Sequence, residues 1–236
     1  TSWSPCFKPP AVPSLMEVIV PFSTDRPKSR LSAALAPDER AAFARAMLRD
    51  VLDAVVKAGG EPRILATGEV DADLAHPVVV DDRPLTTAVN GALESRSADD
   101  AERDASRNRF PEPIAVVMAD LALATPEALN RLFGAGGAGN VAVAPGRGGG
   151  TNALVVGHPE FRVDYHGASY LDHRRIADEI GASVRVVDSH RLATDVDEPA
   201  DLAELLIHGD GAAVQWLERA GFTLDTTRGR VGVGRD

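Results

Sequence analysis

Cysteine, lysine and aromatic residues are scarce in this 236-residue chain: one cysteine (Cys6), three lysines (Lys8, Lys28 and Lys57) and 5% aromatics. A lone thiol cannot close an intrachain disulfide, and it leaves no cysteine-built zinc site. A reducing cytoplasm is the simplest compartment. Long apolar runs are missing too, so no segment is expected to span a membrane. The basic face that general nucleic-acid affinity needs is also missing. Acidic residues number 35 against 25 basic ones, for a formal charge of −10. Such a surface suits a salt-rich cytoplasm, where self-repulsion is screened. A GC-rich genome would equally favour arginine over lysine. No Gly-x-Ser-x-Gly elbow, Walker loop or dinucleotide fingerprint occurs in a suitable context.

What is present is ample core material, at 44% hydrophobic residues. Short apolar runs alternate with helical periodicity. Strands are expected at Val18–Phe22, Arg63–Ala66, Val78–Val80, Ile114–Met118, Val141–Ala144, Ala153–Val156 and Val184–Val187. Most are near-continuous Val/Ile/Leu, as in strands covered on both faces. Pro37–Ala58 is the clearest helix. Phe43, Met47, Val51 and Val55 recur at helical spacing, Pro37 suits the first turn, and Gly59 suits the stop. Further helices are expected over Leu85–Glu94, Pro126–Phe133, Tyr170–Ile180, Pro199–Ile207 and Gly211–Ala220. The pattern predicts one α/β domain, doubly wound on a mostly parallel sheet. Its expected bounds are 16–210, with 211–236 a helix and tail packed on the same domain. Residues 1–15, with four prolines, read as a disordered leader, and Met16 as a candidate start. Ser95–Arg109 is charged and nearly devoid of bulky apolar residues. It reads as a solvated helix extension or a mobile loop.

Four clusters fall where an open parallel sheet holds its ligand, just beyond the carboxyl ends of strands. Ser23-Thr24-Asp25-Arg26-Pro27-Lys28-Ser29-Arg30 follows the first strand, and its cations and hydroxyls suit either a polyphosphate grip or a polar surface loop. Asp120 follows the fourth strand and suits a Mg²⁺ ligand or a turn residue. Arg147-Gly148-Gly149-Gly150-Thr151-Asn152 bends between two strands. Its glycines let backbone N–H groups meet an anion directly, although a plain hairpin would look the same. Asp195 and Asp197 stand two apart, so an extended backbone points both the same way, where they repel unless a cation lies between them. Nearby, Tyr165-His166-Gly167-Ala168-Ser169 opens a helix whose N–H groups suit a phosphate or carboxylate. His190 and His208, like His76 and His158, read as structural or surface residues.

Several ordered segments carry a family resemblance: Val-Ile-Val-Pro-Phe (18–22), Pro-Lys-Ser-Arg-Leu-Ser (27–32), Phe-Ala-Arg-Ala-Met-Leu-Arg-Asp-Val-Leu (43–52), Ala-Asp-Leu (119–121), Gly-Gly-Thr-Asn-Ala-Leu (149–154) and Asp-Val-Asp-Glu-Pro (195–199). Together they resemble the 2-phospho-L-lactate guanylyltransferases of coenzyme F420 biosynthesis, whose close relatives use phosphoenolpyruvate. The resemblance implies a nucleotidyltransferase fold of the glycosyltransferase-A type, a homodimer, and GTP as nucleotide. It implies Mg²⁺ on carboxylates matching Asp120, Asp195 and Asp197. Lys28 and Arg30, with Ser23 and Arg26, would serve the nucleotide phosphates, and Asn90 the nucleoside. The phospho-acid would meet Arg147, Gly149, Gly150 and Thr151, together with His166, Gly167 and Ser169. Two positions depart from the family pattern. Ala122 replaces a proline, and His166 replaces a glycine beside the expected acid site. The resemblance reaches about Ile207, and the tail beyond about 210 has no match.

Overall fold

A computed structural model describes residues 15–25, 27–70, 74–103, 112–227, 229 and 231–235. Nine strands and seven α-helices are found among them. The central sheet contains β1 (Met16–Phe22), β2 (Gly60–Ala66), β3 (Val78–Val80), β4 (Ile114–Val117), β5 (Asn140–Pro145), β6 (Thr151–Val156) and β7 (Ser183–Val186). Their order is β3-β2-β1-β4-β6-β5-β7. All pairings are parallel except those of β6, which runs against both β4 and β5. The first residues of β6 therefore lie at the edge where the parallel strands end, and this reversal brings Thr151 and Asn152 to the loops expected to bind ligand.

Helices cover both faces, as the doubly wound pattern predicts. Along β1, Val18, Val20 and Phe22 join one core, and Ile19 joins the other. The first core is closed by α1 (Pro37–Lys57), α3 (Pro126–Ala135), α6 (Pro199–His208) and α7 (Ala212–Arg219). The second lies under α2 (Leu85–Arg103) and α4 (Ser169–Glu179). On α1, Phe43, Met47, Leu48, Val51, Leu52 and Val55 are all buried, each contributing about 1.5–3 kcal/mol. The Glu39 carboxylate accepts the Ala36 N–H at 2.9 Å, satisfying one orphan donor at the helix start. Gly59, at φ +77°, turns the chain out of α1.

Helix α2 runs past Glu94 to Arg103, so the charged stretch begins as a helix extension, one of its two expected forms; residues 104–109 lie outside the described residues. Two differences from the sequence reading stand out. A short α5 (His190–Ala193) precedes the Asp195 segment. In addition, β2 starts at Gly60 rather than Arg63, because pairing with β1 extends back to Met16. The tail forms a hairpin, β8 (Phe222–Asp225) with β9 (Gly232–Arg235). Arg235 anchors it to α1 through Glu39 and lies over the Phe222 ring at 4.9 Å.

Candidate functional site

Two of the expected carboxylates meet on one ammonium. The loop after β1 carries Lys28 in a left-handed backbone conformation, φ 55° and ψ 45°. A non-glycine residue persists there only when its surroundings hold it, at a cost of about 1–3 kcal/mol. The side chain is only 10% exposed, and its Nζ lies 2.7 Å from Asp120 Oδ2 and 2.6 Å from Asp197 Oδ1. Burial opposes the ammonium charge, but Asp120 and Asp197 outweigh it and raise the pKa above the ordinary lysine value.

Asp120 sits in the turn after β4, and its backbone carbonyl accepts the Val196 N–H at 3.2 Å. That bond ties the turn to the Asp195 segment. Burial alternates there: Thr194 and Val196 are buried, whereas Asp195 and Asp197 are not. The two aspartates thus share one side, as their spacing predicts. Asp195 Oδ1 accepts from Asn152 Nδ2 at 3.1 Å, which joins it to the start of β6. Burial raises the Asp195 pKa, and the charges of Asp120 and Asp197 push the same way. Asp120 Oδ1 is buried with no hydrogen-bond partner. Three carboxylates against one buried ammonium and the exposed Arg30 guanidinium leave the cluster net negative. An unpartnered carboxylate oxygen and that residual charge fit a hard divalent cation such as Mg²⁺.

Beside this cluster opens a cavity of about 550 Å³. Its floor includes Pro21, Leu65 and Met118, and its rim includes Ser23, Thr67 and the Asp81–Leu85 turn that enters α2. Lys28, Arg30, Asp120 and Asp197 form one wall. A volume of this size suits a nucleotide.

The triple-glycine bend is a tight hairpin joining β5 to β6. Its own carbonyls take the Gly146 and Gly149 N–H groups, and Gly149 has φ +85°. Gly149 O in turn accepts the Tyr170 N–H at 3.1 Å, docking the bend on the start of α4. Buried Thr151 and Ser169 thereby come to one place. Behind them, wholly buried His173 connects Thr151 to the chain before α4. The Asp164 N–H points at His173 Nε2 at 2.9 Å, so Nε2 must accept. In the neutral ring the proton is then on Nδ1, 2.9 Å from Thr151 Oγ1, and the threonine oxygen accepts it. Burial lowers the His173 pKa to about 4 and keeps the ring neutral. The Thr151 hydroxyl hydrogen is left to point elsewhere.

Residues 16–235 match the family described as guanylyl transferase CofC like. The chain belongs to that family. The 2-phospho-L-lactate guanylyltransferase of Halorubrum lacusprofundi is 71% identical over 94% of this chain and all of its own. The namesake from Halomicrobium mukohataei is 57% identical over 93% of this chain and all of its own. Among solved structures, a nucleotidyl transferase from Methanothermobacter thermautotroptrophicus aligns with a TM-score of 0.55 at 16% identity, covering 87% of this chain and 99% of that one. A protein assigned as a nucleotide-diphospho-sugar transferase from Desulfovibrio desulfuricans G20 reaches 0.68 at 15% identity, covering 86% and 94%. Those two likenesses establish the nucleotidyltransferase fold. The family match extends through the tail, past the point where the sequence motifs end.

Not every residue expected from the CofC-like resemblance faces the cleft. Asn90 holds the 157–168 segment instead: its amide donates to Val163 O and accepts the Val163 N–H, both at 2.9 Å. One amide hydrogen and one oxygen lone pair remain, but Asn90 is not among the residues that line the cavity. Arg147 also departs from expectation. Its guanidinium pairs with Asp201 at 2.8 Å, and Asp201 accepts the Asp197 and Glu198 N–H groups. Arg147 thus braces the hairpin against the acidic segment. Ser169 is the first helical residue of α4 rather than its cap, which is Ala168. Gly167 turns the chain just before it, at φ +57°. His166 is 80% exposed and pairs with Asp164 at 2.6 Å. Arg30, 70% exposed, reaches Asp197 at 3.5 Å. Ser23 lines the cavity, its Oγ donating to Asp25 O. Arg26 lies outside the described residues. Asn152, read only as the end of the glycine bend, and His173, read as either near the Ser169 helix start or solvated, take part through bonds to Asp195 and Thr151. A histidine four residues after an expected ligand serine was the available signal for His173.

Proposed function

We propose that this CofC-like protein transfers GMP from GTP to 2-phospho-L-lactate or phosphoenolpyruvate and releases pyrophosphate. The observation that carries the reading is the convergence of Lys28, Asp120 and Asp197 at the wall of a nucleotide-sized cavity, with Asp195 close enough to feel both carboxylates. The docked glycine hairpin with Thr151 is joined to this cluster through Asn152, which bonds Asp195. GTP lies in the cavity. Asp82, at the rim, offers a carboxylate suited to guanine, which carries a donor amino group that adenine lacks at that position.

The nucleophile is a phosphate oxygen of the phospho-acid. With a second pKa near about 6, a phosphomonoester is already mostly dianionic at neutral pH. No catalytic base is required, and among the described residues no His–carboxylate or Ser–His pair lines the cavity. The oxygen attacks the α-phosphorus of GTP in line, the bond to the β-phosphate oxygen breaks, and pyrophosphate carries off the electron pair. The difficulty is repulsion between two polyanions. Asp120, Asp195 and Asp197 are the residues that would hold Mg²⁺. When bound, Mg²⁺ supplies charge neutralisation and Lewis acidity at the phosphates. Lys28 adds a fixed positive charge at the same wall, and Arg30 a mobile one at the rim. The Thr151 hydroxyl, its acceptor side already filled by His173, serves as a dedicated donor to the acid's phosphate or carboxylate.

Among the described residues no helix is long and apolar enough to cross a membrane. We place the reaction in the cytoplasm, where GTP is made, and expect a homodimer as in the family. The test is pyrophosphate release from Mg²⁺, GTP and each acid in turn, with CTP as the control nucleotide. Release with GTP and one of the two acids supports the reading. Release with neither acid, or with CTP alone, overturns it.

A further inference from the structure

The segment that carries Asp195 and Asp197 is bracketed by a second cluster. His190 opens α5 on one side. Glu204 and His208 stand on α6 on the other, four residues apart and so on one helix face. The Nε2 atoms of His190 and His208 approach the same Glu204 oxygen, Oε2, at 3.6 and 3.7 Å. Both distances are too long for a hydrogen bond. The two rings meet edge-on, with centroids 5.3 Å apart. All three ligand atoms lie within 4.8 Å of one another. The groups converge on a common space without bonding across it.

We propose that His190, Glu204 and His208 form a zinc site. Zinc–nitrogen and zinc–oxygen bonds near about 2.1 Å set two tetrahedral ligands roughly 3.4 Å apart. The two histidine–glutamate spacings come within a few tenths of an ångström of that, and the two imidazole ligand atoms lie within 4.8 Å of each other. Two imidazoles and one carboxylate make a borderline-soft set that suits Zn²⁺, whereas Mg²⁺ prefers oxygen alone. The side chains are a third to a half exposed, so a fourth position is open to water. An Arg191 guanidinium bond to His208 O, at 2.5 Å, already joins α5 to α6 at this point. Zinc would turn that contact into a clamp and fix both ends of the segment that presents Asp195 and Asp197. The site is separate from the guanylyl-transfer cleft, and its test does not depend on that reading.

The experiment uses the whole, tag-free protein stripped of metal by a chelator. Zinc chloride is titrated in competition with a chromophoric zinc chelator, in excess Mg²⁺ so that oxygen-only sites are filled. The expected result is a single zinc ion per chain with micromolar or tighter affinity, and a rise in Tm on loading. In His190→Ala/His208→Ala both effects should vanish. Glu204→Gln, which keeps the imidazoles, should weaken binding at least about tenfold by removing a charged ligand. These side chains are at the surface, so circular dichroism of each variant should remain native. Zinc binding that is absent from the native chain, or equal in the native chain and the double variant, overturns the proposal.

Discussion

Asp50 and Asp120 are both held by nitrogen donors, and they differ in what is left over. Asp50, on α1, accepts the Ala212 and Ala213 N–H groups at 2.6 and 2.9 Å, one on each oxygen, and so closes the start of α7. A Cβ at Gly211 would overlap this carboxylate, so the chain is shaped around a completed contact. Asp120 has one oxygen on Lys28 and the other buried with no partner. Both Asp50 oxygens are bonded to protein, whereas Asp120 borders the cavity with one oxygen unpartnered. A carboxylate that serves architecture is saturated, and one that serves a ligand keeps an unsatisfied atom. Burying such an atom costs about 1–3 kcal/mol, so it persists only where something else compensates.

The largest expected effect tests that contrast directly. Asp120→Asn should lower turnover by at least about 10³-fold, since several kcal/mol of charge stabilisation at the phosphates goes with the ligand. Its Tm should hold or rise, because one of three mutually repelling carboxylates is neutralised while Asp197 still pairs with Lys28. Asp50→Ala should do the reverse: turnover unchanged, and stability down by about 1–2 kcal/mol as two helix-start N–H groups lose their acceptor. Pyrophosphate release and thermal melts on both variants check the pair. Near-normal turnover in Asp120→Asn would erase the distinction between the two carboxylates.

Lys28 comes next. Lys28→Met keeps the stem and removes the charge. About a hundredfold loss in kcat/KM is expected, as for removal of one donor aimed at developing charge. Steady-state kinetics with GTP and the phospho-acid measures it. An unchanged kcat/KM would mean that Lys28 only braces the loop.

The expected effect at Thr151 is smaller and confined to the acid. His173→Phe removes the proton that fills the threonine's acceptor side, freeing the hydroxyl to rotate. KM for the phospho-acid should rise about tenfold, the scale of a weakened bond to a charged group, with KM for GTP unchanged. His173→Asn, whose amide reaches the Nδ1 position, should recover most of the loss. Stability should also depend on pH here. The folded-state pKa of about 4 lies below the ordinary histidine value of about 6.5. As pH falls below 6.5 the unfolded chain binds a proton that the folded one refuses, so stability is lost down to about pH 4. Chemical denaturation of native and His173→Phe protein at pH 7 and 5 reads this out, and the variant should lose less on acidification.

Position along the chain made the acidic half of the site legible. Asp120 follows a strand, and Asp195 and Asp197 share a side of an extended segment; both facts follow from local periodicity. What pairs with them does not. Lys28 meets Asp120 across 92 residues and Asp197 across 169, distances over which only the assembled sheet decides contacts. Asn90 and Arg147 have the right chemistry for a ligand and a suitable place in the sequence. Val163 and Asp201 nevertheless occupy them, because a short polar group bonds whatever the fold sets beside it. The reversed strand was hidden for a related reason. β6 is as apolar as its parallel neighbours, being buried on both faces, and burial leaves no mark of direction. The glycine bend read equally well as an anion loop and as a hairpin, and it is a hairpin whose docking on α4 makes the site.

The smallest effect concerns His166, which departs from the family's glycine. Sequence placed it beside the acid; the structure turns its ring outward, 80% exposed and bonded to Asp164. That bond holds the Asp164 carboxyl below the ordinary aspartate range, and the His166 N–H adds to it. Asp164 also supplies the backbone N–H that orients His173. His166 can reach Thr151 only through this chain of two residues. An exposed pair of this kind contributes little, about 0–1 kcal/mol. His166→Gly should therefore change KM for either phospho-acid by less than about threefold and leave the preference between them intact. A switch from one acid to the other in this variant would show that the outward ring folds over the acid during turnover. It would also move specificity from the buried Thr151–His173 pair to the surface.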